Sequence, residues 1–243
     1  MSYILIIGAK SDIAKEIARV YAKNGYNIYL AGRDIESMRD LANDIKIRYN
    51  IEIELKEFDI IDFGSHQSFY NKLEVKPIGT IVVAGYMSEQ KECEENWTET
   101  LNTINVNYTG AVSILNIIAN DYEINKKGFI VGVSSVAGDR GRKANYIYGS
   151  SKAAFSAYLG GLRNRLFESH VHVLTVKPGF VNTKMTKELD LPPKLTAQPE
   201  DVADDIYKAQ QKGKSIIYTK SIWRYIMLII KHIPEFIFKK MSI

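Results

Sequence analysis

Tyr148 and Lys152 stand one helical turn apart in the segment Tyr148-Gly149-Ser150-Ser151-Lys152. On a helix, that spacing places both side chains on one face. An ammonium beside a phenol stabilises the phenolate and draws its pKa down from roughly 10. Such a tyrosine exchanges a proton with a carbinol or carbonyl oxygen, the work of a general acid or base. The same spacing recurs at Tyr122 and Lys126, in a polar stretch that reads as surface. Spacing alone does not choose between the pairs; their surroundings must.

Two further places bear on chemistry. The apolar run 3–7 delivers the chain to Gly8-Ala9-Lys10-Ser11-Asp12-Ile13-Ala14. Amides exposed at the start of a helix, with the helix dipole behind them, suit a dinucleotide diphosphate. The alternative is an ordinary strand-to-helix turn capped by Ser11 or Asp12, since only Gly8 remains of a glycine-rich pattern. Gly32-Arg33 closes the next apolar run. An acid there would bind a ribose diol, whereas arginine suits a 2′-phosphate. Arg33, with Lys10 as a second cation, therefore favours NADP(H), with NAD(H) as the alternative. Otherwise Arg33 is a solvated surface residue.

The elements that must position these residues alternate along the chain. Strands are expected over 3–7, 28–30, 51–58, 80–84, 129–133, 171–176 and 215–218. Between them, Ile13, Ile17, Ala18 and Tyr21 recur at helical spacing up to Asn24-Gly25, a stop signal. Further helices are expected over 34–49, 96–120, 146–167 and 200–211. The alternation implies an α/β fold, a single Rossmann-type doubly wound parallel sheet with right-handed crossovers. Ligands in such a sheet bind at the carboxyl ends of the strands.

Composition narrows the class. The 243 residues, 46% hydrophobic and 25% charged, describe a globular chain that buries a core. Lys and Arg number 32 against 28 Asp and Glu, so no broad basic surface for nucleic acid is expected. The single cysteine, Cys93, forms no intramolecular bridge, which fits a reducing, cytoplasmic compartment. No secretory signal or spanning helix is read. His66, His170, His172 and His232 supply no ligand cluster, so no metal is expected.

Tyr148 and Lys152, with Ser135 and Asn107 upstream, give residues 1–220 a resemblance to the short-chain dehydrogenase/reductase family. The resemblance implies that Tyr148 is the general acid/base and that Lys152 also holds the nicotinamide ribose. It implies that Ser135 hydrogen-bonds the substrate oxygen and that Asn107 supports a proton-relay water. It assigns Asp59 and Ile60 to the adenine. Ala84 and Gly85 are kept from the family's Asn-Ala-Gly motif. Pro178, Val181 and Thr183 fall in the nicotinamide-side loop. It also makes a homodimer or homotetramer the expected assembly. Departures are Asp12 and Ala14 in place of glycines, and Val83 in place of the motif's asparagine. Residues 1–220 are then a dinucleotide-binding and catalytic domain, with 221–243 as a C-terminal tail.

Two features go further. Arg140, Arg142 and Lys143 lie between Ser135 and Tyr148, where they either clamp a substrate anion or belong to a solvated loop or subunit contact. Lys184, Lys187 and Lys194 charge the expected lid. The tail carries Trp223, Ile226, Met227, Ile230 and Ile233 with Arg224 and Lys231, then Pro234 and a second short helix ending in Lys239-Lys240. It reads as an amphipathic helix on a membrane surface, or as subunit packing or a cover over the substrate pocket. Loop and tail resemble a branch of the family that reduces polyprenyl-phosphate-linked keto-sugars in cell-envelope glycan synthesis. That branch implies a flavin oxidase as reaction partner and a place on the inner membrane face. A soluble 3-oxoacyl or small-ketone reductase, or a non-catalytic nucleotide-binding scaffold, are the alternatives.

Overall fold

A computed structural model describes residues 2–187 and 190–241. At its centre is β1 (Tyr3–Ile7), an unbroken apolar run of the kind found where both faces of a strand are covered. The chain continues through α1 (Asp12–Lys23), β2 (Asn27–Gly32), α2 (Arg39–Tyr49), β3 (Ile53–Glu57), α3 (His66–Asn71) and β4 (Gly79–Val82). There follow α4 (Gln90–Glu95), α5 (Trp97–Ile104), α6 (Gly110–Asn125), β5 (Phe129–Val133), α7 (Tyr146–Arg165) and β6 (His172–Pro178). A small pair, β7 (Phe180–Val181) and β8 (Thr196–Ala197), precedes α8 (Pro199–Gln211) and β9 (Ile216–Thr219). The tail forms α9 (Ile222–His232) and α10 (Glu235–Phe238).

The seven long strands make one sheet in the order β3-β2-β1-β4-β5-β6-β9, every pair parallel. The doubly wound sheet expected from the alternation is therefore present. Successive residues of β1 point to opposite faces. Ile4 and Ile6 join Ile17 and Tyr21 of α1 and Val202 and Ile206 of α8. Leu5 and Ile7 join Ile114 and Leu115 of α6 and Phe155 and Leu159 of α7. Strand order reverses at β1, with β2 on one side and β4 on the other, and a crevice opens there at the strand ends.

Gly8 makes that crevice possible. Its φ is +89°, and a Cβ on it would stand 2.5 Å from the Ala84 nitrogen. No L side chain fits a turn pressed this closely on the end of β4.

The helix expected over 96–120 differs in detail. It begins at Trp97, breaks into a π-helical turn over Asn105–Thr109, and resumes as α6 to Asn125. Such turns gather at functional sites. Helices α3 and α4 have 6 residues each, too few to show a helical period. Among the described residues, no helix is long and apolar enough to cross a membrane.

Candidate active site

The strand ends enclose a cleft of about 450 Å³. One side of α7 presents Tyr148 and Lys152 to it, and the loop after β5 presents Ser135. Lys152 is buried, with its Nζ 5.8 Å from the Tyr148 ring centre and donating to the Val133 carbonyl at 3.3 Å. Burial of the phenol pushes the Tyr148 pKa up to about 12, opposed by the Ser135 hydroxyl. Burial also brings Lys152 down to about 8. The expectation of a lowered tyrosine pKa is corrected here, because burial disfavours the charged form of each group and raises the phenol. In the ligand-free protein, Tyr148 is a neutral phenol near pH 7, an acid loaded with its proton.

Asn107 lies in the π turn and does not line the cleft. Its Nδ2 donates to the carbonyls of Tyr86 at 2.6 Å and Thr103 at 2.8 Å, and its Oδ1 accepts from the Tyr86 N–H at 3.1 Å. A Cβ on Gly85 would meet Asn107 Oδ1 at 3.4 Å and Lys152 Nζ at 3.5 Å. Asn107 thus positions the Gly85-Tyr86 segment beside Lys152. Both hydrogens of its side-chain amide are taken by these backbone carbonyls.

The other half of the cleft suits a dinucleotide. Gly8, Lys10, Ser11, Asp12, Ile13, Arg33, Asp59, Ile60, Ala84 and Gly85 all line it. Ser11, the residue preceding α1, makes no side-chain capping bond, so the first amides of the helix are left for an anion. Arg33 is exposed and, among the described residues, forms no ion pair. Lys10 differs from the expectation of a second free cation, because its Nζ is paired with Asp34 at 2.9 Å. Asp12 accepts from Lys15 Nζ at 2.9 Å and from the Lys184 N–H at 3.0 Å. The acid at a glycine position thereby ties the start of α1 to the loop carrying Pro178, Val181 and Thr183, which also line the cleft.

The basic loop divides. Arg142 lines the cleft. Arg140, expected beside it, turns instead to the tail: its Nη1 donates to the carbonyls of Ile230 and Ile233, both at 2.6 Å. Its Nη2 pairs with Glu235 at 2.9 Å, and its guanidinium lies 3.6 Å from the Phe238 ring centre. A cation completing the last carbonyls of a helix is favoured by the helix dipole, which explains the choice. Lys143 is exposed and outside the cleft lining.

Among the lining residues that the sequence reading did not assign to the site are Asn145, Phe180 and Trp223. Asn145 precedes α7, and its place just ahead of Tyr148 was the available signal. Trp223 lies on the tail, one of whose readings was a pocket cover. A Cβ on Gly179 would fall 2.0 Å from the Trp223 ring, so the glycine admits the indole against the loop. Trp223 Nε1 donates to the Leu195 carbonyl at 3.0 Å.

With that geometry in place, comparison with known proteins is informative. Residues 2–193 match the family model described as short chain dehydrogenase. An oxidoreductase of Mycobacterium tuberculosis, described as uncharacterized, is 32% identical over 241 residues, covering 98% of this chain and 96% of the relative. Another from Streptomyces coelicolor is 28% identical, covering 99% of this chain and 96% of its own. Among solved structures, a short-chain dehydrogenase from Sphingobium yanoikuyae in complex with NADPH superposes with a TM-score of 0.83 at 19% identity, over 97% of each chain.

Proposed function

The chain belongs to the short chain dehydrogenase family, and from that premise we propose that it is an NADPH-dependent carbonyl reductase. The carrying observation is the convergence of Tyr148, Lys152 and Ser135 in one cleft. Bound NADPH would supply a hydride to the carbonyl carbon. Tyr148 donates its proton to the carbonyl oxygen as negative charge develops there. Ser135 orients that oxygen by a hydrogen bond. Lys152 places a positive charge beside the phenolate left behind and holds the nicotinamide ribose. Arg33 would hold the 2′-phosphate of NADPH, the free α1 amides its diphosphate, and Asp59 and Ile60 its adenine.

The substrate in this reading is a keto-sugar on a polyprenyl phosphate. The loop and tail resemble those of decaprenylphosphoryl-2-keto-erythro-pentose reductase, and the tail's exposed surface supports the lipid side. Ile222, Tyr225, Leu228, Ile229 and Phe236 are all exposed, flanked by Arg224, Lys231, Lys239 and Lys240. That surface suits the cytoplasmic face of a membrane. A flavin oxidase would supply the ketone, and a homodimer or homotetramer is the family's assembly.

Replacement Tyr148→Phe tests the mechanism, because it keeps the ring and removes the proton donor. Turnover should fall roughly 10²- to 10⁴-fold, while NADPH titration by fluorescence stays near wild type. A variant within tenfold of wild-type turnover would remove Tyr148 from the reaction.

A further inference from the structure

The loop carrying Asp139, Arg140, Arg142 and Lys143 is held from below and from the side. Asp139, buried, accepts from Lys177 Nζ and from Tyr218 Oη at 2.7 Å. Arg140 is committed to the tail, and Lys143 faces solvent. Arg142 is different. It lines the cleft, and its side chain makes no hydrogen bond or ion pair with the described residues. Its Nε is enclosed and unpartnered, and so is the Oδ1 of Asn145, which lines the same cleft. Enclosed polar atoms are nearly always satisfied in folded proteins, and a pair that is not marks a place completed by something else. One atom is a cationic donor and the other a neutral acceptor, and both belong to residues that line the cleft of Tyr148 and Ser135.

We infer that Arg142 and Asn145 form the subsite that recognises the substrate beyond its carbonyl, Arg142 holding a phosphate-ester oxyanion and Asn145 accepting a hydrogen bond from a neighbouring hydroxyl. Burial that disfavours the free cation gives Arg142 reason to take an anion. The guanidinium offers a planar fork matched to a phosphate. The loop is held by its flanking anchors, so little ordering is required when the anion arrives. This inference rests on the reductase reading only in that the ligand turns a carbonyl toward Tyr148.

Dihydroxyacetone phosphate and dihydroxyacetone are a matched pair of probes. Their affinities for the protein saturated with NADP⁺ are measured by calorimetry, and their reduction is followed by NADPH absorbance. The wild-type protein should bind the phosphate at least roughly tenfold more tightly than the neutral ketone, the scale of a buried charge-assisted bond. Arg142→Met should erase that ratio, Arg142→Lys should keep part of it, and Asn145→Ala should weaken both probes alike. NADP⁺ titration of each variant establishes that it is folded. Equal affinities in wild type, or an undiminished ratio in Arg142→Met, overturn the subsite. Binding with the expected pattern but no reduction of either probe leaves the subsite standing and removes the reductase reading. Reduction of the neutral ketone with no advantage for the phosphate does the reverse.

Discussion

Lys152 shows what the site costs the fold. A lysine titrates near 10.5 in the unfolded chain and near 8 when buried here. Between those values the unfolded state binds more protons, so stability rises with pH across that window. Below pH 8 the penalty is fully present, about 3 kcal/mol at 1.36 kcal/mol per pKa unit. Lys152→Met should therefore raise the Tm of the cofactor-free protein at pH 7, with the gain fading toward pH 10.5, while activity is lost. A Tm gain that is absent at pH 7, or constant from pH 7 to 10.5, would show that the amine carries no such penalty. Arg33 is the other residue whose role reads out singly. Arg33→Asp should shift the kcat/KM preference from NADPH toward NADH, since a carboxylate repels a 2′-phosphate and accepts from a diol. Comparable kcat/KM for both cofactors in the wild-type protein would mean that Arg33 does not read the phosphate.

At the scale of elements, the loop after β5 depends on a buried ion pair. Asp139 and Lys177 side chains are 2% and 12% exposed. Asp139→Asn would leave the Lys177 ammonium enclosed without its counter-ion, a loss of about 3–5 kcal/mol in denaturant unfolding. A loss under about 1 kcal/mol would mean that water already compensates the pair. The elements themselves were legible wherever their patterns were long. Strand β1 is apolar throughout, and α1 repeats Ile13, Ile17 and Tyr21 on one face. The π turn was not legible, since the bonds Asn107 makes from it to the Tyr86 backbone are tertiary and leave no local pattern. The placing of Tyr148 and Lys152 on one face toward the cleft was legible, because one helical turn separates them. The place of Arg140 was not, because three neighbouring cations on a loop look alike until the tail is folded against one of them.

In the whole molecule the tail has a buried side and an exposed side. Trp223 and Met227 are buried against Val136, Phe180, Leu195 and Tyr218, while Leu228 and Ile229 are 56% and 67% exposed. Cutting the chain after Lys220 would strip a wall from the cleft, so membrane contact is better tested on the exposed face alone. The wild-type protein should sediment with anionic vesicles, and the double variant Leu228→Gln with Ile229→Gln should keep its fold but lose that sedimentation. Salt should weaken the wild-type interaction only partly. Each cation contributes on the order of 1 kcal/mol, which salt screens, and apolar burial about 25 cal/mol per Å², which it does not. If wild type and variant sediment alike, the exposed face is not the contact.

The Arg140 guanidinium joins the end of α9 to the loop that carries Arg142, with only one residue between the two arginines. Occupancy of the cleft and anchoring of the tail are then conjugate quantities. If a surface favours the seated tail and the seated tail favours a ligand at Arg142, that ligand strengthens attachment to the surface by the same factor. A substrate entering from such a surface would recruit its own enzyme to the place where more of it is found.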